Sequence, residues 1–258
     1  MNYGLITVEP TKKDYVFEGK VRLGGLPLRP DGQWDAFLPE VELQAVGVET
    51  FACTSFGTLN CVEILLLQKY TNHENLSDRC SAKSSGTWPP GNDPHKVAET
   101  LRKKGCVTES YWPNSTELNT LEKYYSEIPE NIKTLALELK AEFDFGHEWV
   151  SPDYDSMKAA LMYSPLGVGV FAWMRDDNGF FYRPPASPDT HWVVIYGFEE
   201  GKYWKCFDSY TSDGIVLKKL RWDFGFAMVK RYTLERQVID NTAWGKFVKL
   251  FRSILGLA

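Results

Sequence analysis

The chain has 258 residues, with 29 Lys and Arg against 34 Asp and Glu for a formal charge of −5; 43% of residues are hydrophobic and 24% charged. That balance belongs to an ordinary globular protein with enough chain to bury a core, and its mild acidity argues against a dedicated nucleic-acid binder, whose surface neutralises phosphates. No apolar run reaches bilayer-spanning length, and the N-terminus MNYGLITVEPTKKDYVFEG lacks the basic flank and apolar core of a secretory signal, so a cytoplasmic protein without membrane spans is expected. The nine Trp and thirteen Tyr suit a protein with substantial grooves rather than a disordered one.

Residues 1–37 are rich in Gly and Pro and read as an extended, wrapping segment. From Cys53 to Tyr70, Phe56, Leu59, Val62, Leu66 and Tyr70 recur at helical spacing. The solid block Ile64–Leu67 makes that helix apolar nearly all round, as a buried central helix requires. Residues 75–95 read as loop. Asp93-Pro94 opens a helix that Gly105 stops, a second helix is expected over 118–141 with a break at Pro129, and a third over 154–163. After Pro165 the period changes. LGVGVFAW, HWVVIYGF, KYWKCFDSY and GIVLKKLRW are short, β-branched and aromatic, and turns separate them. Helices first and strands second make an α+β layout with a groove between two halves. The catalytic or binding body is expected over 38–235, with a helical half at about 50–145 and a β half at about 146–235. A basic amphipathic tail follows at 236–258, where Trp244, Phe247, Val248, Phe251 and Leu255 share a helical face with Lys246, Lys249 and Arg252 nearby. Docking on its own domain is the plainer role for that tail; a membrane surface or a partner protein is the other.

The five cysteines are Cys53, Cys61, Cys80, Cys106 and Cys206; an odd count without a CxxC pair is neither a disulfide framework nor a zinc pattern. No metal or cofactor is expected. Five inert core thiols are one reading, and one reactive thiol among four buried ones is the other. Cys53 stands at the first turn of the apolar helix, where unpaired N–H groups and the helix dipole favour a thiolate. Of four histidines, His73, His95 and His147 lie in polar stretches and read as surface or loop residues. His191 opens a strand after the turn-rich RPPASPDT, and Asp208 sits in the next strand, placed to accept the Nδ1 hydrogen bond and fix the ring. A satisfied core histidine and a turn-capping aspartate fit the same spacing equally well.

Several pieces in order resemble the papain-like cysteine peptidases. Cys53, Thr54, Ser55, Phe56, Gly57 and Glu63 look like that family's nucleophile helix. NLSDRC, GNDPHKVAETLRKKGCVTESYWP and MKAALMYSPLGVGVFAW follow in the family's order, and His191, Gly197 and YWKCFDSY resemble its His…Gly-Tyr…Asn-Ser-Trp region. The resemblance runs from about residue 38 to 232, and the 138 residues between Cys53 and His191 fit the family's spacing. It implies a papain-like fold, with a helical half on the central nucleophile helix packed against an antiparallel, barrel-like β half. It also implies hydrolysis of a peptide or protein substrate by Cys53 as nucleophile, His191 as base and Asp208 where the family has Asn.

A carboxylate in place of that amide is expected to hold the imidazolium more strongly. Gln44, in VELQ, resembles the family's oxyanion glutamine if the following loop carries three extra residues, since Gly47 occupies the usual position. Thr54 and Tyr210 replace two family tryptophans, Tyr210 remaining able to shield the His191–Asp208 bond. The family's pro-segment is not visible in the roughly fifty residues before Cys53, although residues 1–30 are long enough to cross a groove. An amidase or acyl transferase would use the same trio. A non-catalytic binding or virion protein on the same scaffold is the alternative from another class.

Overall fold

A computed structural model of the chain describes residues 2–17, 26–212 and 214–237. The amphipathic tail lies outside the described residues except for its first two positions.

The central helix α1 (Cys53–Tyr70) is buried from Cys53 through Leu66, so it has no solvent face until its last turn. It ends at Thr71, whose left-handed backbone lets the cap N–H reach the carbonyls of Leu66 and Leu67. Around it stand α2 (Asp78–Ser85), α3 (Pro94–Lys104), α4 (Leu121–Tyr124) and α5 (Glu130–Glu142). Asp93 caps α3 ahead of its N-terminal Pro94, and Pro129 separates α4 from α5. The expected loop at 75–95 is in part a helix. Ser77 caps α2 by accepting the Cys80 N–H, and Gly86 closes it in the left-handed region. Its residues DRCSAKSS carry no apolar stripe, so periodicity does not reveal it.

The β half is one sheet in the order β1-β8-β2-β5-β6-β7-β4-β3. Its strands are β1 (Phe143–Trp149), β2 (Leu166–Val170), β3 (Met174–Arg175), β4 (Phe181–Tyr182), β5 (His191–Glu199), β6 (Tyr203–Ser212), β7 (Ile215–Arg221) and β8 (Val229–Arg236), with α6 (Tyr154–Leu161) between β1 and β2. All pairings are antiparallel except the single β4·β7 contact. β1 and β8 are additions to the expected strands. His147, read as a loop residue, lies on β1 and is buried, with its Nε2 3.1 Å from Glu99 Oε1 and its Nδ1 3.1 Å from Lys230 Nζ. Trp192 on β5 seats the sheet against α1: its indole lies where a Cβ on Gly57 or Gly167 would come within 2.7 Å, so both glycines are needed for that contact. Among the described residues, no helix is long and apolar enough to cross a membrane.

Candidate active site

The start of α1 and the start of β5 pack together in the interior, Cys53 sharing a buried cluster with Trp192. Ala52, the residue before α1, makes no side-chain cap, so the first N–H groups of the helix remain for whatever lies in front of it. The backbone N–H groups of Thr54 and of Trp192, the neighbour of His191, favour the charged form of the Cys53 sulfur. Cys53 also shares a buried cluster with Leu5, Trp149, Trp192 and Met228. The expectation of a thiolate at this helix start is not met in the present arrangement. Burial pushes the thiol up, the negative charges of Glu49 and Asp208 push the same way, and the two N–H groups only oppose them. Cys61, eight residues on, is fully buried inside α1.

His191 opens β5, opposite Val170 of β2, and is fully buried. Its Nε2 lies 2.6 Å from Asp208 Oδ1. The expected bond was to Nδ1; that nitrogen is instead buried with no hydrogen-bond partner, the Cys53 sulfur included. Asp208 follows the registered pair Val194–Phe207 on β6, which brings it beside the ring across the β5·β6 ladder. Three aromatic rings enclose the imidazole: Tyr3 at 5.4 Å, Tyr210 at 5.5 Å and Trp173 at 6.1 Å between centroids. Tyr210 therefore stands where shielding of the His191–Asp208 bond was expected.

Gln44 is fully buried in the same place. Its backbone N–H donates to Ser209 O at 3.1 Å, and Ser209 Oγ donates to its Oε1 at 3.0 Å. That fixes the amide so that Nε2 donates to the Tyr3 carbonyl and to Glu49 Oε1, both at 3.0 Å. Gln44, Asp208 and His191 are thus brought into one connected group, whereas no hydrogen bond joins the Cys53 sulfur to the His191 ring.

The chain's own N-terminal segment lies against these residues. Tyr3 N–H donates to Thr190 O at 2.9 Å, Asn92 N–H donates to Gly4 O and Ile6 N–H to Asn92 O, each at 2.9 Å. Leu5 buries its side chain against Cys53, Trp149, Trp192 and Met228. Farther on, Phe17 N–H donates to Trp149 O and Trp149 N–H to Tyr15 O. Residues 1–30 were expected to be long enough to cross a groove; of these, Tyr3 lies against His191 and Gln44.

Sequence reasoning missed Tyr3, Glu49, Thr190, Trp173 and Lys218. Lys218 was legible in principle: on β7 the burial alternates, and Lys218 shares its inward face with Leu220. Its Nζ donates to Asp208 Oδ2 at 2.7 Å.

Two solved structures are similar to this chain. One is digestive procathepsin L 3 of Tenebrio molitor larval midgut, with a TM-score of 0.59 at 19% identity over 81% of this chain and 71% of that one. The other is the bromelain protease of Ananas comosus in complex with the E64 inhibitor, with a TM-score of 0.60 at 19% identity over 79% of this chain and 98% of that one. No family model matches the sequence, and no curated protein matches it. The chain has the papain-like fold.

Proposed function

We propose that the chain is a cysteine peptidase held latent by its own N-terminal segment. The observation that carries this reading is the Tyr3 carbonyl: a peptide oxygen already accepts from Gln44 Nε2, and the Tyr3 ring lies against that of His191. A substrate carbonyl in that position would gain two donors as it becomes an oxyanion, the Gln44 amide and the uncapped Cys53 N–H, where charge develops out of water. His191 takes the thiol proton through Nδ1 while Asp208 holds the ring by Nε2. Cys53 attacks the carbonyl carbon, His191 passes its proton to the leaving amine, and water hydrolyses the thioester. The pocket that Leu5 fills would receive an apolar side chain of a peptide or protein substrate.

Latency follows from the same contacts. While Leu5 and Tyr3 exclude water, the thiol stays buried and protonated; displacing them rehydrates the sulfur and lets the helix N–H groups act on it. The buried thiol is also what favours the second reading, a non-catalytic binding scaffold. Peptide-library cleavage and labelling by an epoxide thiol inhibitor separate the two, in the intact chain, in a variant lacking residues 1–12, and in Cys53→Ala. Removal of the segment should raise both signals, and Cys53→Ala should abolish them. Equal labelling of Cys53→Ala and its parent would leave only the scaffold.

A further inference from the structure

Asp208 accepts four hydrogen bonds, which is the full capacity of a carboxylate. Oδ1 takes His191 Nε2 at 2.6 Å and the Tyr210 N–H at 3.0 Å, and Oδ2 takes Trp173 Nε1 at 3.0 Å and Lys218 Nζ at 2.7 Å. Lys218 is saturated as well. Its other two protons go to the carbonyls of Tyr210 at 2.8 Å and Ile215 at 2.6 Å, and its ammonium lies over the rings of Trp173 and Phe181. Neither side chain is exposed.

A lone buried carboxylate would grip an imidazolium hard, and a buried ion is costly unless it is paired. Here the pair already exists before the imidazole is counted. The ammonium on Oδ2 cancels much of the negative charge that the ring would otherwise feel through Oδ1, leaving an oriented oxygen dipole. We infer that Lys218 is a positioning residue for this site: it neutralises Asp208, so that His191 meets a charge-balanced oxygen acceptor of the kind a neutral side-chain amide would offer. The inference rests on the peptidase reading for its catalytic meaning. The other titratable groups near the ring or its carboxylate are Cys53 on α1, Tyr3 on the N-terminal segment, Glu49 on the loop after Gln44, and Tyr210 and Cys206 on β6; each is the same in all the variants compared, Cys53 as alanine.

The His191 ring is titrated by NMR in the full chain carrying Cys53→Ala, with its signal assigned by loss in His191→Gln. This readout needs no peptidase activity, so failure of the peptidase reading and failure of this inference are told apart. Lys218→Met should raise the titration midpoint by one pH unit or more, a tenfold change in proton affinity. Asp208→Asn should lower it, because the ammonium then faces a neutral amide. The double variant Asp208→Asn/Lys218→Met should return it to within about half a pH unit of the parent, which is a small change on the same scale. With Cys53 restored, the pH profile of alkylation at Cys53 should move in Lys218→Met and recover in the double variant. An unmoved midpoint in Lys218→Met overturns the inference. Should Lys218→Met fail to fold, the double variant decides alone: a midpoint equal to the parent's supports the inference, and a fall of a pH unit or more means the carboxylate had acted as a bare charge all along.

Discussion

Gln44 illustrates how much of this site is settled by single side chains. Its amide oxygen is fixed by Ser209 Oγ, its backbone by Ser209 O, and its Nε2 is thereby aimed at the Tyr3 carbonyl. Under the proposed peptidase function, a donor so constrained needs no reorganisation when an oxyanion forms, and loss of one such donor typically lowers kcat by about 10²–10³. Gln44→Ala, assayed once the N-terminal segment has been removed, should therefore lose kcat by roughly two orders of magnitude, with KM moving far less. A pure KM effect would make Gln44 a substrate-binding contact instead. The residue was legible as a candidate only through resemblance, since a lone glutamine in a polar loop carries no chemistry by itself. Its partners Tyr3 and Glu49 gave no sequence signal, because only the folded chain brings residues 3, 44 and 49 together.

Among the elements, the N-terminal segment and α2 depart furthest from what periodicity reveals. The segment owes its path to close backbone approach. Gly4 has φ of 114°, and a Cβ there would sit 2.1 Å from Phe51 O; a Cβ on Gly91 would sit 1.9 Å from Gly4 O. Neither backbone can withdraw without breaking the bond from Asn92 N–H to Gly4 O. Gly4→Ala should therefore lift the segment while leaving the body intact, because the change strains a position only glycine tolerates and touches no core layer. Alkylation of Cys53 by iodoacetamide should rise tenfold or more, with melting temperature changed by only a few degrees. An unaltered alkylation rate would mean that Leu5 and the Tyr15–Trp149 contacts hold the segment without Gly4. The helix α2 was missed for a different reason. Its caps Ser77 and Gly86 are in the sequence, but its stability is tertiary: Arg79 lies over the Trp112 ring at 4.2 Å and donates to the carbonyls of Lys123 and Tyr124.

At the scale of the molecule, the buried charges set how stability varies with pH. Glu63 lies inside α1, and burial raises its carboxyl to about 8 although it accepts the Leu76 N–H at 2.7 Å; Glu109 is raised by burial to about 7. An acid whose folded pKa exceeds its unfolded value binds more protons when folded, so its cost appears as pH rises above the unfolded value and is complete above the folded one. His147, lowered to about 3 by burial, acts oppositely below pH 6.5, and Lys230, lowered by burial to about 7, acts oppositely above its own folded value. The absolute profile therefore mixes opposing slopes, and a difference isolates one group. Glu63→Gln keeps an acceptor for Leu76 and removes the charge. Its stability relative to the parent in urea unfolding should be near zero at about pH 4.5, the ordinary glutamate value. It should then climb in favour of Glu63→Gln up to about pH 8, with a slope no steeper than roughly 1.4 kcal/mol for each pH unit. A difference that stays flat with pH would show that Glu63 ionises freely in the folded chain.

The buried central helix, the order of helices before strands, and the meeting of His191 with Asp208 across adjacent strands were readable from sequence. Apolar periodicity, β-branched runs and residue order are local properties that burial and backbone geometry act on directly. The β1 and β8 strands, the Nε2 rather than Nδ1 bond of His191, the N-terminal segment lying against His191 and Gln44 and the ammonium behind Asp208 came only with tertiary structure. Each depends on groups far apart in the chain excluding water from one another, and the energy of a buried charge or a backbone carbonyl is decided by that shared environment rather than by its neighbours in sequence.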